Sequence, residues 1–387
     1  MGIETESRPA RPAPAGRRQD SASRRIQSKR GSSSRNDRAG AGRRRPRKGK
    51  RDMRRYLGVS LGLLGLLFLL PLATMLTGWE EQTEPEAPPP ETVKIQLLPP
   101  GETDNSYTLR VLLNGEVQEM TMAEYLHGVV RAEMPASFEQ EALCAQAVAA
   151  RTYTLYKMAS GGNHGAQADI CGDPTCCQAY LDEAQAMANW GAAGENNEAK
   201  IENAVAATDG QTILYEGSPV LAVFHSSSAG QTKSAGQVWI NDLPYLQSVS
   251  SPEGEGVPNY YSRVEVPAEE FRSAFLAAHP EADLSGPADG WVRDVQVNGS
   301  SVDQAVVGGA AVRGTELRAM FSLRSASFEI EAQADRLVFY VTGYGHGVGM
   351  SQYGAEQMAK DGAAWRDIIT HYYTGVTVAT YMPEQIT

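Results

Sequence analysis

Cysteine is scarce in this chain of 387 residues, with only four present, and that number excludes a small fold held together by a disulfide framework. Basic residues are scarce as well once the N-terminus is passed. Residues 1–55 hold 19 of the 35 Lys and Arg but only 5 of the 46 Asp and Glu, which leaves 16 basic and 41 acidic residues for the remainder. So acidic a body is repelled by a phosphate backbone, and we expect no nucleic-acid partner.

Long apolar runs are also missing, except at Tyr56–Trp79, where 24 residues carry no charge. At a rise of about 1.5 Å per residue this run spans about 36 Å as a helix, enough to cross a bilayer. The basic run RRRPRKGKR at 43–51 could be a nucleic-acid patch, but beside the apolar run it favours a cytoplasmic N-terminus. A cleavable signal peptide is the alternative. The apolar core is long for one and no A-x-A site follows, so we expect an uncleaved anchor.

Composition divides the chain into four parts. Residues 1–55 are rich in Arg, Ser, Gly and Pro and are predicted to be a disordered basic tail in the cytoplasm. The single-pass anchor at 56–79 is followed by an acidic, Pro-rich linker at 80–92. Residues 93–387 are expected to form the folded domain, outside the membrane. Its first runs, VKIQLL and YTLRVLL, alternate like strands, and Asn114-Gly115 predicts a hairpin turn after the second.

Two predicted helices meet at Met134-Pro135. Capping boxes, in which a hydroxyl residue is followed three positions later by Glu or Gln, occur at 121–124 and at 137–140. Because the residue before a proline is disfavoured in the α region, the first helix is predicted to end at this dipeptide. Glu133 therefore lies in the last turn of the first helix, at an elbow.

The position of Glu133 favours the protonated form of its carboxyl group. The negative end of the helix dipole opposes a carboxylate there, and a partly apolar cleft would oppose it further. A protonated carboxyl group is what a general acid needs. The alternative is a solvated charge near a turn. Glu139 and Glu141 are expected to be the solvated first turn of the next helix, which suits acidic residues.

Four residues with metal-binding side chains lie close together in the sequence: His164, Cys171, Cys176 and Cys177. Thiolate and imidazole ligands at short loop spacing suit zinc. Free or disulfide-linked cysteines are the alternative outside the cell, although strained geometry disfavours a bond between the adjacent Cys176 and Cys177. The fourth cysteine, Cys144, falls on the apolar side of a predicted helix and is expected to be a small core residue.

Two further stretches are rich in small and polar residues. FHSSSAGQT at 224–232 has a histidine beside a run of hydroxyls, but no G-x-S-x-G elbow, so a triad is not expected. A loop that hydrogen-bonds a polar ligand is favoured over a plain polar turn. GYGHGVGMSQYGA at 343–355 has alternating glycines that allow close backbone approach and does not match the dinucleotide fingerprint. His346, Ser351 and Gln352 would face a cleft there, and tight packing of a glycine-rich strand is the alternative.

Five motifs, in this order, resemble the family of stage II sporulation protein D and the related amidase enhancers. They are EYLHGVVRAEMPASFEQEALCAQAVAARTYTL, DICGDPTCCQAY, FHSSSAGQT, VWINDLPYLQSVSSP and GYGHGVGMSQYGA, the last followed by HYYTG. The similarity runs from about Val93 to Tyr381. The basic tail and the single anchor match the sporulation branch of the family.

The resemblance implies a lytic transglycosylase that cleaves denuded peptidoglycan glycan strands, at the MurNAc–GlcNAc bond, during engulfment of the forespore. Glu133 would be its catalytic residue, no cofactor would be needed for the chemistry, and the product would carry a 1,6-anhydro end. The alternative is a non-catalytic wall-binding protein that enhances an N-acetylmuramoyl-L-alanine amidase. The presence of Glu133 favours the enzyme.

The resemblance also implies a structural zinc ion held by His164, Cys171 and Cys177, with a water, a ligand or Cys176 completing the tetrahedron. An engulfment amidase and a membrane scaffold protein are the implied partners, in the space between the septal membranes. We expect an α+β fold, with helices packed on a mixed sheet and a long glycan-binding groove. The residues expected to line this groove are Arg151, His225, Ser226, Ser228, His346, Ser351 and Gln352.

Overall fold

The computed structural model of the chain describes residues 95–162, 164, 167–239, 241–381 and 383. The tail at 1–55, the anchor expected at 56–79 and the linker at 80–92 lie outside these residues. Among those that are described, no helix combines the length and the apolar character needed to cross a membrane.

Helices and strands alternate irregularly along the described chain. The α-helices are α1 (Glu102–Ser106), α2 (Met122–Glu133), α3 (Gln140–Ala159), α4 (Glu183–Trp190), α5 (Gly194–Ala207), α6 (Ala235–Val238), α7 (Ala268–Ala278), α8 (Gly314–Met320), α9 (Gln352–Lys360) and α10 (Trp365–Tyr372). Short 3₁₀ turns occur at Gly191–Ala193 and Ala288–Gly290. The strands are β1 (Thr108–Leu113), β2 (Glu116–Thr121), β3 (Ile170–Cys171), β4 (Gln211–Tyr215), β5 (Ser218–Pro219), β6 (Phe224–His225), β7 (Tyr261–Pro267), β8 (Val292–Asn298), β9 (Ser301–Val307), β10 (Ala310–Arg313), β11 (Phe328–Gln333), β12 (Arg336–Thr342), β13 (Met350–Ser351) and β14 (Thr377–Thr380).

The predicted α+β class is confirmed, but the single mixed sheet is replaced by several small ones. Within the described residues their strand orders are β2-β1-β3, β14-β4-β5, β13-β6, β10-β9-β8 and β11-β12-β7. In the first, β1 pairs antiparallel with β2 and parallel with β3. Strands β3, β5, β6 and β13 have two residues each, and each of them pairs with a single neighbouring strand.

Helix α3 runs through the larger of two hydrophobic cores and is packed by α2, α5, α9 and α10. Thirteen of its 20 residues are buried, so other elements surround it on nearly every side. Most of its buried positions are small, with five alanines among them, and small side chains let neighbouring helices approach closely. This core also takes in residues 348–373 near the end of the chain.

A second core is formed by residues 266–341 alone. The sheets β11-β12-β7 and β10-β9-β8 enclose it together with α7 and α8, and Phe271 stacks on Phe275 and Phe321. The chain enters this lobe after Tyr260 and leaves it at Gly343, whose N–H donates to the Tyr260 carbonyl at 2.8 Å. We call residues 261–342 the inserted lobe.

Local sequence signals predict some of the turns and strands of this fold and not others. The hairpin turn at Asn114-Gly115 is confirmed, with φ of 51° and 87°. The strand expected at VKIQLL is wrong for its described part, 95–98, which has no regular structure. The motif stretch VWINDLPYLQSV is not a strand in its described residues: only the end of the short helix α6 falls there, and the rest are turns and loops.

Candidate active site at the Glu133 elbow

The elbow after α2 is built as the sequence predicts on its N-terminal side. Thr121 caps α2 with both bonds of the capping box, to the N–H and the side chain of Glu124. Met134 ends the helix in an extended conformation, with φ −130° and ψ 135°, and its side chain is buried. Glu133 is thus the last helical residue, and the chain turns away directly after it.

The prediction of a second capping box at 137–140 is wrong. Helix α3 begins at Gln140 with Glu139 as its N-cap, and no side chain caps it. The carboxylate of Glu356 on α9 accepts a hydrogen bond from the Glu139 N–H at 2.6 Å instead. A residue 217 positions away thereby replaces the local cap, and it ties α9 to the elbow.

Glu133 faces an open pocket of about 360 Å³. Residues 131–136 line this pocket together with residues from three other parts of the chain: Trp190, Ser226, Gln352 and Tyr353. Phe138 packs edge-on against Tyr353 with ring centroids 5.0 Å apart, which fixes the start of α9 beside the elbow. The pocket is therefore assembled at the meeting point of α2, α4, β6 and α9.

Burial raises the pKa of the Glu133 carboxyl group above its ordinary value. The hydrogen bond from the Ala179 N–H, at 2.9 Å to Oε1, and the nearby amide of Gln352, which is not at hydrogen-bond geometry, oppose this shift without cancelling it. Desolvation, rather than a charged neighbour, is the largest cause. The group is thus half-buried, oriented by a backbone donor and biased towards its protonated form.

Ser226 and Gln352 are the two expected groove residues that line the same pocket as Glu133. Gln352 is 6% exposed, and its buried Nε2 has no hydrogen-bond acceptor at bonding distance among the residues that the structure describes. A buried amide donor without an acceptor is costly, so a ligand hydroxyl or carbonyl at this point would be favoured. Ser226 lies opposite, where its carbonyl accepts a hydrogen bond from the Tyr353 N–H.

His225, Ser228 and Ser351 lie behind the pocket wall rather than in it. All three are buried, with exposures of 4%, 3% and 0%. His225 Nδ1 donates to the Val348 carbonyl, because a carbonyl only accepts, so Nε2 must accept from Ser228 Oγ at 2.7 Å. The hydroxyl of Ser351 donates to Glu253 and caps α9 by accepting from an N–H in its first turn. None of the three residues lines the pocket, so they support its wall and are not in position to contact a ligand.

His346 is half-buried between two rings, with centroids 5.6 Å from both His225 and Trp239. Burial, with Arg318 as the next cause, lowers its pKa to about 4, so the imidazole is neutral at pH 7. Its Nδ1 accepts from the Val348 N–H at 3.0 Å. His346 is thus a neutral imidazole, held by the Val348 N–H and packed beside His225 of strand β6.

Arg151 does not line the pocket, which corrects the expectation from its place on α3. Its side chain is fully buried and forms an ion pair with Asp104, with Nε 2.9 Å from Oδ1. A third bond, from Nη1, goes to the Gln211 carbonyl at 3.0 Å. A guanidinium that is fully buried and paired in this way is not accessible to a sugar in the pocket.

The four metal-binding side chains converge as expected. The ligand atoms of His164, Cys171, Cys176 and Cys177 all lie within 4.8 Å of one another. His164 Nε2 is 3.6 Å from the sulfur of Cys176 and 3.7 Å from that of Cys177, and these two sulfurs are 3.7 Å apart. A tetrahedral zinc site with Zn–S of about 2.3 Å and Zn–N of about 2.0 Å separates its ligand atoms by roughly 3.5–3.8 Å. The donor set and its spacing therefore fit a Cys₃His zinc site, which includes Cys176.

Three pocket residues were not singled out from the sequence. Arg131 is held by the Glu198 carboxylate of α5, so its aliphatic stem is fixed beside Glu133. Trp190 comes from the segment after the cysteine cluster, where no sequence signal distinguishes it from a core aromatic. Tyr353 lies inside the GMSQYG motif next to Gln352, and that adjacency is a signal that could have identified it.

The fold and the pocket together define a class of protein: an α+β protein with one half-buried carboxylic acid in an open pocket, next to a zinc-compatible cluster. A family model described as "Stage II sporulation protein" matches residues 114–215, the segment that contains both features. The stage II sporulation protein D of Bacillus amyloliquefaciens is 36% identical over 267 residues, covering 69% of this chain and 76% of that protein. That of Bacillus subtilis (strain 168) gives the same values. The chain belongs to the stage II sporulation protein D family.

A more distant relative carries a different name. The amidase enhancer of Bacillus subtilis (strain 168) is 26% identical over 305 residues, which cover 66% of this chain and 40% of that protein. The family resemblance inferred from the five motifs is thus confirmed, and the relation to amidase enhancers with it.

Proposed function

We propose that this protein is a lytic transglycosylase that cleaves denuded peptidoglycan glycan strands between MurNAc and GlcNAc during engulfment. The observation that carries the proposal is the state of Glu133: a carboxyl group with a raised pKa, held at the edge of an open pocket. Of the described residues that line this pocket, Glu133 is the one acid. Glycoside hydrolysis ordinarily needs two carboxylates flanking the bond, so a reaction that needs only one fits better.

In this reaction the substrate supplies its own nucleophile. Glu133 donates its proton to the leaving glycosidic oxygen as the bond to the anomeric carbon breaks. The C6 hydroxyl of the muramic acid then attacks the same anomeric carbon, and the Glu133 carboxylate accepts the proton of that hydroxyl. The carboxyl group ends in its starting form, and the intramolecular attack benefits from proximity.

The neighbours of Glu133 suit these two roles. The Ala179 N–H holds Oε1, so the carboxyl group keeps one orientation in both steps. The free amide donor of Gln352 is available to a sugar oxygen next to the scissile bond. Trp190 offers an aromatic surface, on which a sugar ring can pack.

The product distinguishes this function from its alternatives. The purified chain is incubated with glycan strands from which an amidase has removed the peptides, and the fragments are analysed by mass spectrometry. A 1,6-anhydro end, one water lighter than a reducing end, is expected. A reducing end would mean that water attacks and that a second carboxylate takes part. No cleavage, together with faster release of peptides when an amidase is added, would favour the amidase-enhancer function.

We further propose that His164, Cys171, Cys176 and Cys177 hold a structural zinc ion. When bound, the ion would contribute folding energy rather than a reactive water, because four protein ligands leave no open position. The segment it would fix leads directly to Ala179, the donor to Glu133.

We also propose the membrane topology that the sequence predicts. The charge-free span at 56–79 would anchor the protein, with residues 1–55 in the cytoplasm and the catalytic domain between the septal membranes. An engulfment amidase would supply the denuded glycan there, and a membrane scaffold protein would hold the two together. Protease added to protoplasts should remove the folded domain. Protection of that domain while the tail is digested would reverse the topology.

A further inference from the structure

Glu253 is a buried carboxylate in the loop between α6 and β7. The residue is 6% exposed, and no ion pair of its carboxyl group is found in the described part of the chain. Its Oε1 accepts two hydrogen bonds from neutral donors, the Ser228 N–H at 2.5 Å and the Ser351 hydroxyl. A carboxylate withdrawn from water destabilises the protein unless its neighbours stabilise the negative charge. The structure around Glu253 therefore has to supply that stabilisation.

Helix α9 meets this carboxylate with its N-terminal end. A Cβ on Gly354, in the first turn of α9, would come within 2.7 Å of Glu253 Oε2, so only a glycine allows so close an approach. The Ser351 hydroxyl donates to Glu253 and accepts from the Gly354 N–H at 3.3 Å, so one hydroxyl connects the carboxylate and the helix. The positive end of the helix dipole thus lies at the carboxylate and stabilises its charge.

Glu253 joins two parts of the chain that both form the candidate active site. Ser351 directly precedes Gln352, and Ser228 follows Ser226 by two positions. Gln352 and Ser226 line the pocket, whereas Glu253 does not. Strands β6 and β13, which lead into these two parts, are parallel neighbours. One carboxylate oxygen therefore bridges the chain beyond the carboxyl ends of two strands, behind the pocket wall.

We propose that Glu253 is a positioning residue, which holds the amide of Gln352 at its place in the pocket. The inference rests on the proposed function, because it takes the glycan as the ligand of that pocket. Gln352 is the first residue of α9, and the cap before it, Ser351, bonds Glu253. Without the carboxylate, this hydroxyl and the Ser228 N–H lose their shared acceptor inside the protein. The start of α9 then shifts, and the Gln352 amide moves with it.

Glu253 acts by accepting hydrogen bonds rather than by transferring a proton. Its side chain is buried and does not line the pocket, so it is not in position to contact a substrate. Glu253→Gln keeps an acceptor at Oε1 for both donors, and its new amide group can donate to the hydroxyl of Ser251 or Tyr372, which also lie against Gly354. This variant should therefore bind and cleave the glycan within ~2-fold of the parent.

The test is a double-mutant cycle with Gln352. Glycan binding to the full chain is measured in a Glu133→Gln background, so that turnover does not interfere. Glu253→Ala should weaken binding by about 3–10-fold, as much as Gln352→Ala does. In the Gln352→Ala background the same change should add less than ~2-fold, because the amide through which Glu253 acts is already absent. A general distortion of the pocket would instead add its full effect.

Two controls separate positioning from loss of charge and from loss of stability. Glu255→Ala removes an exposed carboxylate of the same loop and should leave glycan binding unchanged. Asp104→Asn destabilises the core without altering a residue that lines the pocket, and should also leave binding unchanged at a temperature where it is folded. If melting curves show that Glu253→Ala does not fold, Glu253→Asp replaces it in the cycle, since it withdraws the carboxylate by one methylene and keeps the charge.

Unchanged binding in Glu253→Ala, additive effects of the two changes, or loss of binding or turnover in Glu253→Gln would each overturn the positioning role. Its failure is separable from that of the proposed function. An anhydro product with additive effects removes the role of Glu253 and keeps the transglycosylase. Non-additive effects on binding, without cleavage by the parent, keep that role and remove the transglycosylase. A parent chain that does not bind the glycan removes both.

Discussion

The carboxylate of Glu133 and the backbone N–H of Ala179 are joined by a hydrogen bond of 2.9 Å across 46 positions of the chain. Ala179 follows the last cysteine of the cluster, Cys177, by two residues. Whatever fixes the cluster therefore also fixes the donor that orients the acid. The stability of the cluster and the orientation of the candidate acid are linked at this contact.

Removing one cluster ligand should accordingly affect both properties. For Cys176→Ala we expect loss of bound zinc, a melting temperature lower by about 5 °C or more, and reduced turnover of denuded glycan. The matched control is Cys144→Ala, a buried cysteine of α3 that is not part of the cluster. Elemental analysis of protein purified without a metal-affinity step decides the matter. Less than ~0.2 zinc per chain in the parent, with melting unchanged by chelator, would contradict the zinc site.

Glu133→Gln keeps the shape of the side chain and removes the transferable proton. Turnover should fall at least ~100-fold, while glycan binding persists. Glu139→Gln serves as the control, because Glu139 is an exposed acid next to the elbow whose side chain does not line the pocket. Rates from release of anhydro ends provide the measurement. Full activity in the Glu133→Gln variant would remove Glu133 from the mechanism.

The raised pKa of Glu133 predicts a specific pH dependence. In the proposed reaction the protonated form is the active one, so turnover should decline as the pH rises through the folded-state pKa. Stability should follow the same direction. The contribution of Glu133 is fully present below its ordinary value of 4.5 and is lost as the pH rises through the raised pKa. Unfolding of the parent and of Glu133→Gln in denaturant, across this range, should give a difference that changes with pH. A constant difference would argue against the shift.

The buried pair of Arg151 and Asp104 predicts a purely structural effect. Asp104→Asn leaves the guanidinium unpaired in the core, so the free energy of unfolding should fall by about 3–5 kcal/mol. Arg336→Gln, which breaks only exposed pairs, should leave that free energy almost unchanged. Denaturant titration measures both. At a temperature where Asp104→Asn is folded, its KM for glycan should equal that of the parent; a raised KM would return Arg151 to the groove.

Replacing Gln352 should weaken glycan binding without changing the stability of the fold. Among the described residues its Nε2 has no acceptor at bonding distance, so Gln352→Ala removes a donor that is available to the ligand. Glycan binding should weaken by about 3–10-fold with little change in melting. Gln357→Ala on the same helix is the control, since its amide bonds Asp361 at the surface. Unaltered binding in Gln352→Ala would place the sugar elsewhere.

Local sequence signals predicted the elbow because its causes are local. Thr121 and Glu124 cap the start of α2 from three positions apart, and the proline acts on Met134, the residue directly before it. The cap of α3 could not be predicted, because Glu356 comes from the other end of the domain. The same holds for Arg151, whose partner Asp104 precedes it by 47 positions and belongs to a helix of five residues.

The sequence motifs indicated which stretches of the chain form the pocket, but not which of their side chains line it. Ser226 and Gln352 were expected correctly beside Glu133, whereas His225 and Ser228 lie behind them. On a strand of two residues, neighbouring side chains point to opposite sides, and the sequence does not indicate which side is the buried one.

The hydrogen bond between Gly343 and Tyr260 closes the inserted lobe at its base, so the two ends of this 82-residue segment lie side by side. Because these ends adjoin, a short turn could bridge residues 260 and 343 without stretching the first core. Such a shortened chain would keep Glu133, the cysteine cluster and every residue of the first hydrophobic core. The fold around Glu133 would then be separable from the lobe that the chain carries between residues 260 and 343.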